Sequence, residues 1–169
     1  GVLIPSYLKL DEQDKKKVNQ NIKKLSIANS RRGEDAVGAF KINKEGKISF
    51  YKNSIPVWDA FYDEQWLKII NVENDSLAVV CHIRERSIKT WSNEIKNAHP
   101  HVTTKLIGVH NGTIDNFKEF YPSEESDSLS LFKFIEEKGT DCLDQLTGSM
   151  AVCFVDFNEK PTMVNFASY

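Results

Sequence analysis

Apolar positions recur along this chain with two different spacings, and the alternation between them predicts its elements. From Asp11 to Asn29 the stretch DEQDKKKVNQNIKKLSIAN places Val18, Ile22 and Leu25 at helical spacing, with acids at the start and lysines behind them. That order suits the helix dipole, so an amphipathic helix is expected, its lysine run a solvated face. The segment AVGAFKINKEGKISFYKN reads as two strands joined at Asn43-Lys44-Glu45-Gly46, where glycine supplies the turn residue. Val57 to Ile70 carries Trp58, Phe61, Trp66, Leu67 and Ile70, a mixed aromatic face that reads as one helix packed on the core through both tryptophans.

A buried strand is expected at Leu77 to Ile83, followed by a polar excursion from Arg84 to Asn97. A second buried strand begins at Leu106-Ile107-Gly108-Val109 and is expected to stop in a tight turn at His110-Asn111-Gly112. Ser126-Asp127 marks the start of a helix that runs through Leu129, Phe132 and Ile135 to the stop Lys138-Gly139. SMAVCFVDF and TMVNFA complete the pattern as strands around Asn158-Glu159-Lys160-Pro161. Hairpin-paired strands with grouped helices predict an α+β fold with layered antiparallel sheets. Without repeats or linkers, residues 1–169 read as one domain.

Composition narrows the partners. The 169 residues are 40% hydrophobic and 27% charged, with a formal net charge of -2. Such a balance offers no electrostatic footprint for nucleic acid, and the apolar runs fall far short of the roughly 20 residues of a membrane helix. The N-terminus GVLIPSYLKL lacks the pattern of an export signal, and the three cysteines Cys81, Cys142 and Cys153 suggest neither a disulfide framework nor metal ligation. A soluble cytoplasmic protein is expected, with Cys81 and Cys153 as buried, inert thiols.

Chemistry-bearing residues gather where strands are expected to end. Asn111 offers an amide donor and Gly112 permits close approach to its backbone N–H, a pair able to hold an oxyanion; the same Asn-Gly is also a common plain hairpin turn. Arg84 closes a strand and is able to clamp a carboxylate, or simply to be solvated. Asn97-Ala98-His99-Pro100-His101 brings two imidazoles beside a proline, but no third ligand for a metal is evident. Asp127 is either a helix cap or a receptor for an amine. Arginine for a carboxylate, aspartate for an ammonium and an Asn/Gly donor pair together describe a site for an α-amino acid with a carbonyl further along, and glutamine is such a molecule.

In order, the segments Arg32-Gly33-Glu34-Asp35-Ala36-Val37-Gly38, His82-Ile83-Arg84, Asn97 to His101, Val109 to Phe117, Ser126-Asp127 and Leu146 to Ala151 resemble the glutaminase domain of class II glutamine amidotransferases. The glucosamine-6-phosphate synthase branch is the most similar, on NAHPH and VHNGTIDN. The resemblance implies an N-terminal-nucleophile hydrolase fold, a four-layer αββα sandwich of two antiparallel sheets flanked by helices. It implies hydrolysis of the glutamine side-chain amide to glutamate and ammonia, with no cofactor and no metal. The nucleophile would be an N-terminal cysteine, absent from the sequence and expected just before Gly1, whose own amine serves as base.

Position by position, the resemblance gives Arg84 the glutamine α-carboxylate, Asp127 its α-ammonium, and Asn111 and Gly112 the oxyanion hole. Ser87, which keeps a hydroxyl where the family has threonine, and His99 fall on substrate-binding positions. The chain departs from the family in Glu85-Arg86-Ser87-Ile88-Lys89, a more charged loop, and in Ala36, where the family has serine. It ends at Tyr169, short of the usual domain length, so a C-terminally incomplete domain is expected. Ammonia would pass to an acceptor domain or subunit that the sequence does not identify, and an oligomer is among the states it allows. The alternative is a catalytically inactive member serving as a binding or assembly module.

Overall fold

A computed structural model describes residues 2–3, 9–31, 33–85, 95–159 and 163–168; Gly1, Arg32, Ser87, Lys160 and Pro161, which figure in the sequence reading, lie outside the described residues. Two compact units divide the chain, Gly1–Pro100 and His101–Tyr169.

The first unit runs β1 (Val2–Leu3), α1 (Glu12–Ser30), β2 (Ala36–Asn43), β3 (Ile48–Asn53), α2 (Val57–Ala60), α3 (Glu64–Ile70) and β4 (Ser76–Arg84), then a 310 turn at Ile95–Asn97. Its four strands form one antiparallel sheet in the order β1-β4-β2-β3. The expected hairpin is present: Asn43 Oδ1 accepts from the N–H groups of Glu45 and Lys47 at 3.1 and 2.8 Å and closes the turn. Asp11 caps α1, its carboxylate accepting from Asp14 N–H at 2.7 Å.

Two details of the first unit correct the sequence reading. Leu25 is 57% exposed, because α1 packs along the row Val18, Ile22, Ser26 and Ser30, where small serines let the helix approach the sheet. The predicted helix from Val57 to Ile70 breaks in two at Asp63. That carboxylate accepts from Gln65 N–H at 2.8 Å and from Tyr51 OH at 2.7 Å, and a side chain so engaged starts a new helix instead of continuing the old one. Trp66 is fully buried as expected, whereas Trp58 is half exposed.

The second unit runs β5 (His101–Val102), β6 (Leu106–Ile114), α4 (Phe117–Phe120), α5 (Asp127–Lys138), a 310 turn at Thr140–Gln145, β7 (Gly148–Asp156) and β8 (Asn165–Ser168). Its sheet is antiparallel in the order β5-β6-β7-β8. Helix α5 lays Leu131, Phe132 and Ile135 against Leu106, Val152 and Phe154 on one sheet face. Its bounds follow the sequence reading: Ser126 Oγ accepts from Leu129 N–H at 3.2 Å, and Gly139, at φ 74°, ends it.

The tight turn expected at His110-Asn111-Gly112 is not there. Strand β6 continues through all three to Ile114 and pairs with β7 at every position, Asn111 opposite Ala151 and Gly112 opposite Met150. The turn signal loses because nine consecutive residues of β7 supply ladder partners, and backbone pairing outweighs a local turn preference. What does change along β6 is burial: Leu106 to His110 are buried, and Asn111 to Thr113 are exposed.

The α+β class with two antiparallel sheets, each carrying helices, agrees with expectation. Among the described residues, no helix is long and apolar enough to cross a membrane.

Candidate active site

In the second unit, the backbone of β6 builds the site first. Asp115 N–H donates to Thr147 O at 2.9 Å, so in this ladder the odd-numbered residues of β6 exchange bonds with β7. Alternation then turns the N–H groups of Gly112 and Ile114 to the opposite edge, which β5 covers only at Ile107 and Gly108. There Ile114 N–H donates to Asp127 Oδ2 at 3.1 Å. The Gly112 N–H lies two residues back along the same edge, about 7 Å away by strand rise.

Gly112 has to be glycine. Its φ is 140°, and a Cβ there would come within 2.0 Å of the Ser149 carbonyl oxygen. The exposed Asn111 side chain projects from the sheet face opposite α5, since side chains alternate along a strand and Ile114 belongs to the α5 core.

Asp127 is the first residue of α5, where a carboxylate meets the positive end of the helix. Besides Ile114 N–H it accepts Ser128 N–H on Oδ1 at 2.8 Å. The carboxylate is thus partly a cap, as one sequence reading had it, yet two acceptor oxygens leave lone pairs for a cation. Ser128 Oγ also lies 2.9 Å from His110 Nδ1. His110 is buried, and burial lowers its pKa below the ordinary 6.5 while the Asp127 charge raises it in part. The imidazole is therefore neutral at pH 7. Sequence reasoning singled out His110 only as part of a turn and gave Ser128 no role; nothing in their 18-residue separation signals the contact.

In the first unit, Arg84 is the last residue of β4, as expected of a strand end. Its backbone is held from the β2 side: Ala36 pairs with it, and Asp35 N–H donates to its carbonyl at 3.1 Å. Gly33 passes so close that a Cβ would lie 2.7 Å from the Arg84 carbonyl oxygen. His82 stands two residues earlier on the same strand face, and the ring of buried His99 lies 4.1 Å from it, centroid to centroid. Lys52, which the sequence reading passed over, donates to Ala98 O at 3.1 Å and to Lys96 O at 3.4 Å, and so ties down the approach to His99. Desolvation lowers its pKa.

So Arg84, His82 and His99 gather in the first unit, and Asn111, Gly112 and Asp127 in the second. Ser87 and the position before Gly1 fall outside the described residues. Among the described residues no group of three His, Cys, Asp or Glu side chains is placed to hold a metal ion. Burial pushes the Cys81 thiol up to about 12 and those of Cys142 and Cys153 up to about 11, which leaves all three protonated at neutral pH and unfit as nucleophiles.

Comparison with known proteins places this architecture first by fold. Glutamine phosphoribosylpyrophosphate amidotransferase from B. subtilis, solved with ADP and GMP, superposes on 90% of this chain and 34% of its own, with a TM-score of 0.60 and 17% identity. A second solved structure, described as the allosteric regulatory enzyme of purine biosynthesis, gives the same TM-score over 86% of this chain. At this identity the likeness establishes a shared fold.

Sequence relatives carry the comparison further. Glutamine--fructose-6-phosphate aminotransferase [isomerizing] of Brucella suis biovar 1 (strain 1330) is 35% identical over 88 aligned positions, which take in 41% of this chain. The protein of the same name from Brucella abortus biovar 1 (strain 9-941) is 36% identical over 87, or 40% of this chain. The chain spans about 14% of the length of these curated relatives. No family model matches it. The resemblance to class II glutamine amidotransferases thus rests on two independent comparisons, one of sequence and one of fold.

Proposed function

We propose that residues 1–169 form a glutaminase domain of the class II type, which hydrolyses the side-chain amide of glutamine to glutamate and ammonia. The observation that carries this reading is the shared strand edge of Gly112 and Ile114, whose N–H groups lie about 7 Å apart, the first open as a donor and the second holding the Asp127 carboxylate. Glutamine spans four bonds from its α-nitrogen to its amide carbon, roughly 5 Å when extended. With its ammonium on Asp127, its amide carbonyl reaches the Gly112 N–H.

In this reading a cysteine preceding Gly1 attacks the amide carbon, its α-amine accepting the thiol proton at a reference pKa of about 7.7 to 8.0. The oxyanion of the tetrahedral intermediate is held by Gly112 N–H and the Asn111 side-chain amide. Protonation of the leaving nitrogen releases ammonia, and water then hydrolyses the thioester to glutamate. In this reading Arg84 takes the α-carboxylate in two parallel hydrogen bonds, and Ser87 and His99 are further substrate-binding residues by the resemblance. Ammonia passes to an acceptor domain or subunit.

The raised thiols of Cys81, Cys142 and Cys153 favour an external nucleophile, or else a module that keeps the glutamine pocket without hydrolysis. One experiment separates the two. Release of glutamate and ammonia from glutamine is measured for the protein carrying a free N-terminal cysteine before Gly1, alongside glutamine binding. Release supports the enzyme, binding without release the module, and absence of both ends the glutamine reading.

A further inference from the structure

The glutaminase reading leaves one buried group of the site without a role. His110 is 2% exposed, stands on β6 two residues before Gly112, and its Nε2 meets no hydrogen-bond partner among the described residues. Its Nδ1 lies 2.9 Å from Ser128 Oγ, and that oxygen lies 3.4 Å from Asp127 Oδ1. A buried imidazole is retained at a cost unless its bond does something, since desolvation of a polar ring is offset only by the partners it gains.

The chemistry of the three groups selects one arrangement. Ser128 has a single hydroxyl hydrogen and two candidate acceptors, the His110 Nδ1 and the Asp127 carboxylate. A charged acceptor makes the stronger bond, so the hydrogen turns to Asp127 and the imidazole donates. His110 is then the Nδ1–H tautomer, and its Nε2 is a bare lone pair instead of a stranded donor.

We propose that His110 is a positioning residue that orients Asp127 for the substrate ammonium: Nδ1–H donates to Ser128 Oγ, whose hydroxyl donates to Asp127 Oδ1. The inference rests on the glutaminase reading for what Asp127 holds. Ser128 N–H and O–H both fall on Oδ1, and Ile114 N–H takes Oδ2, so the carboxylate is fixed from both ends with its remaining lone pairs set for a cation. The hydroxyl link is long, so its loss weakens the ammonium contact without abolishing it. About ten-fold in affinity is the expected scale, that of one net hydrogen bond to a charged group. Ring and strand together also tie α5 to the edge that carries Gly112.

The test is titration calorimetry of the protein with L-glutamine and with 4-carbamoylbutanoate, the same molecule without its α-amine. Wild type, Ser128→Ala, His110→Leu and His110→Asn are compared; the Asn amide carries a donor near the Nδ1 position. The expected result is a preference of the wild type for glutamine that falls about ten-fold in Ser128→Ala and His110→Leu, with binding of the amine-free ligand unchanged, and that returns in His110→Asn. Equal weakening of both ligands marks a merely structural role and overturns the proposal, as does an intact preference in Ser128→Ala and His110→Leu.

A wild type that binds neither ligand sinks the glutamine reading itself and removes the substrate role with it. Independently of any ligand, two-bond nitrogen–proton correlation spectra of the His110 ring show the Nδ1–H form if the relay is right. The Nε2–H form overturns it.

Discussion

Strands β4 and β6 each carry candidate substrate groups, and they deliver them by different means. Strand β4 ends on Arg84, so the candidate guanidinium stands where the chain leaves the ladder, and Asp35 and Gly33 brace the last carbonyl. Strand β6 carries Asn111 and Gly112 without ending, because β7 remains paired beside it as far as Ile114. Arg84, at a strand end, is positioned by its own strand and by the neighbouring β2 segment that pairs with it. A group in mid-ladder is positioned by two strands and, through Asp127, by a helix as well. The difference teaches that the second arrangement is stiffer and less tolerant of substitution.

The sharpest way to break the comparison is to add one methyl group to each region. Gly112→Ala meets the Ser149 carbonyl at 2.0 Å at a positive φ and is expected to cost on the order of 3 kcal/mol. Gly33→Ala meets the Glu85 nitrogen at 2.5 Å, a less severe overlap than the 2.0 Å at Gly112, so a smaller cost of about 2 kcal/mol is expected. Urea denaturation of both variants measures the difference, and equal costs would erase the distinction drawn between the strands.

Next in size is Asn111→Ala. The side chain is exposed, so stability is expected to change by less than about 0.5 kcal/mol. Glutaminase kcat, measured on protein with the N-terminal cysteine, is expected to fall roughly a hundred-fold for one lost oxyanion donor. A large fall in melting temperature instead would assign Asn111 to the fold.

Arg84→Lys keeps the charge and loses the paired geometry, so glutamine binding is expected to weaken roughly ten-fold with kcat little changed. Asp127→Ala is expected to weaken it at least as much and also to lose stability, by about 1 kcal/mol, because it strips acceptors from the N–H groups of Ile114 and Ser128. Loss of stability in the Asp127 variant alone marks the contrast.

The smallest expected effect is in pH. His110 is held below its ordinary 6.5 in the fold, chiefly by burial, so on acidification the unfolded chain takes up this proton first. Stability is then complete above pH 6.5 and declines as pH falls from there toward the folded value. Across that window the denaturation midpoint of the wild type is expected to fall more steeply with acidification than that of His110→Asn, which lacks the imidazole, and equal slopes would overturn the assignment.

Much of the fold was legible in the chain. The β2–β3 hairpin, β4 and α5 follow directly from apolar spacing, turn residues and caps, because those signals are local and the structure adds nothing that competes with them. Where a competing partner exists, the local signal failed. Leu25 is exposed because α1 docks along its serines, the helix expected over Val57–Ile70 stops because Asp63 is engaged by Tyr51, and His110-Asn111-Gly112 stays extended because β7 lies beside it.

For the candidate site the division is the same. Residue types and their order, from Arg84 through Asn111 and Gly112 to Asp127, are properties of the chain alone, since each group's chemistry is intrinsic to it. The tertiary structure decided which donors face outward and what Asp127 touches. It also set His110 against Ser128 and kept the ring neutral, because strand alternation, burial and hydrogen-bond direction are fixed by neighbours distant in sequence.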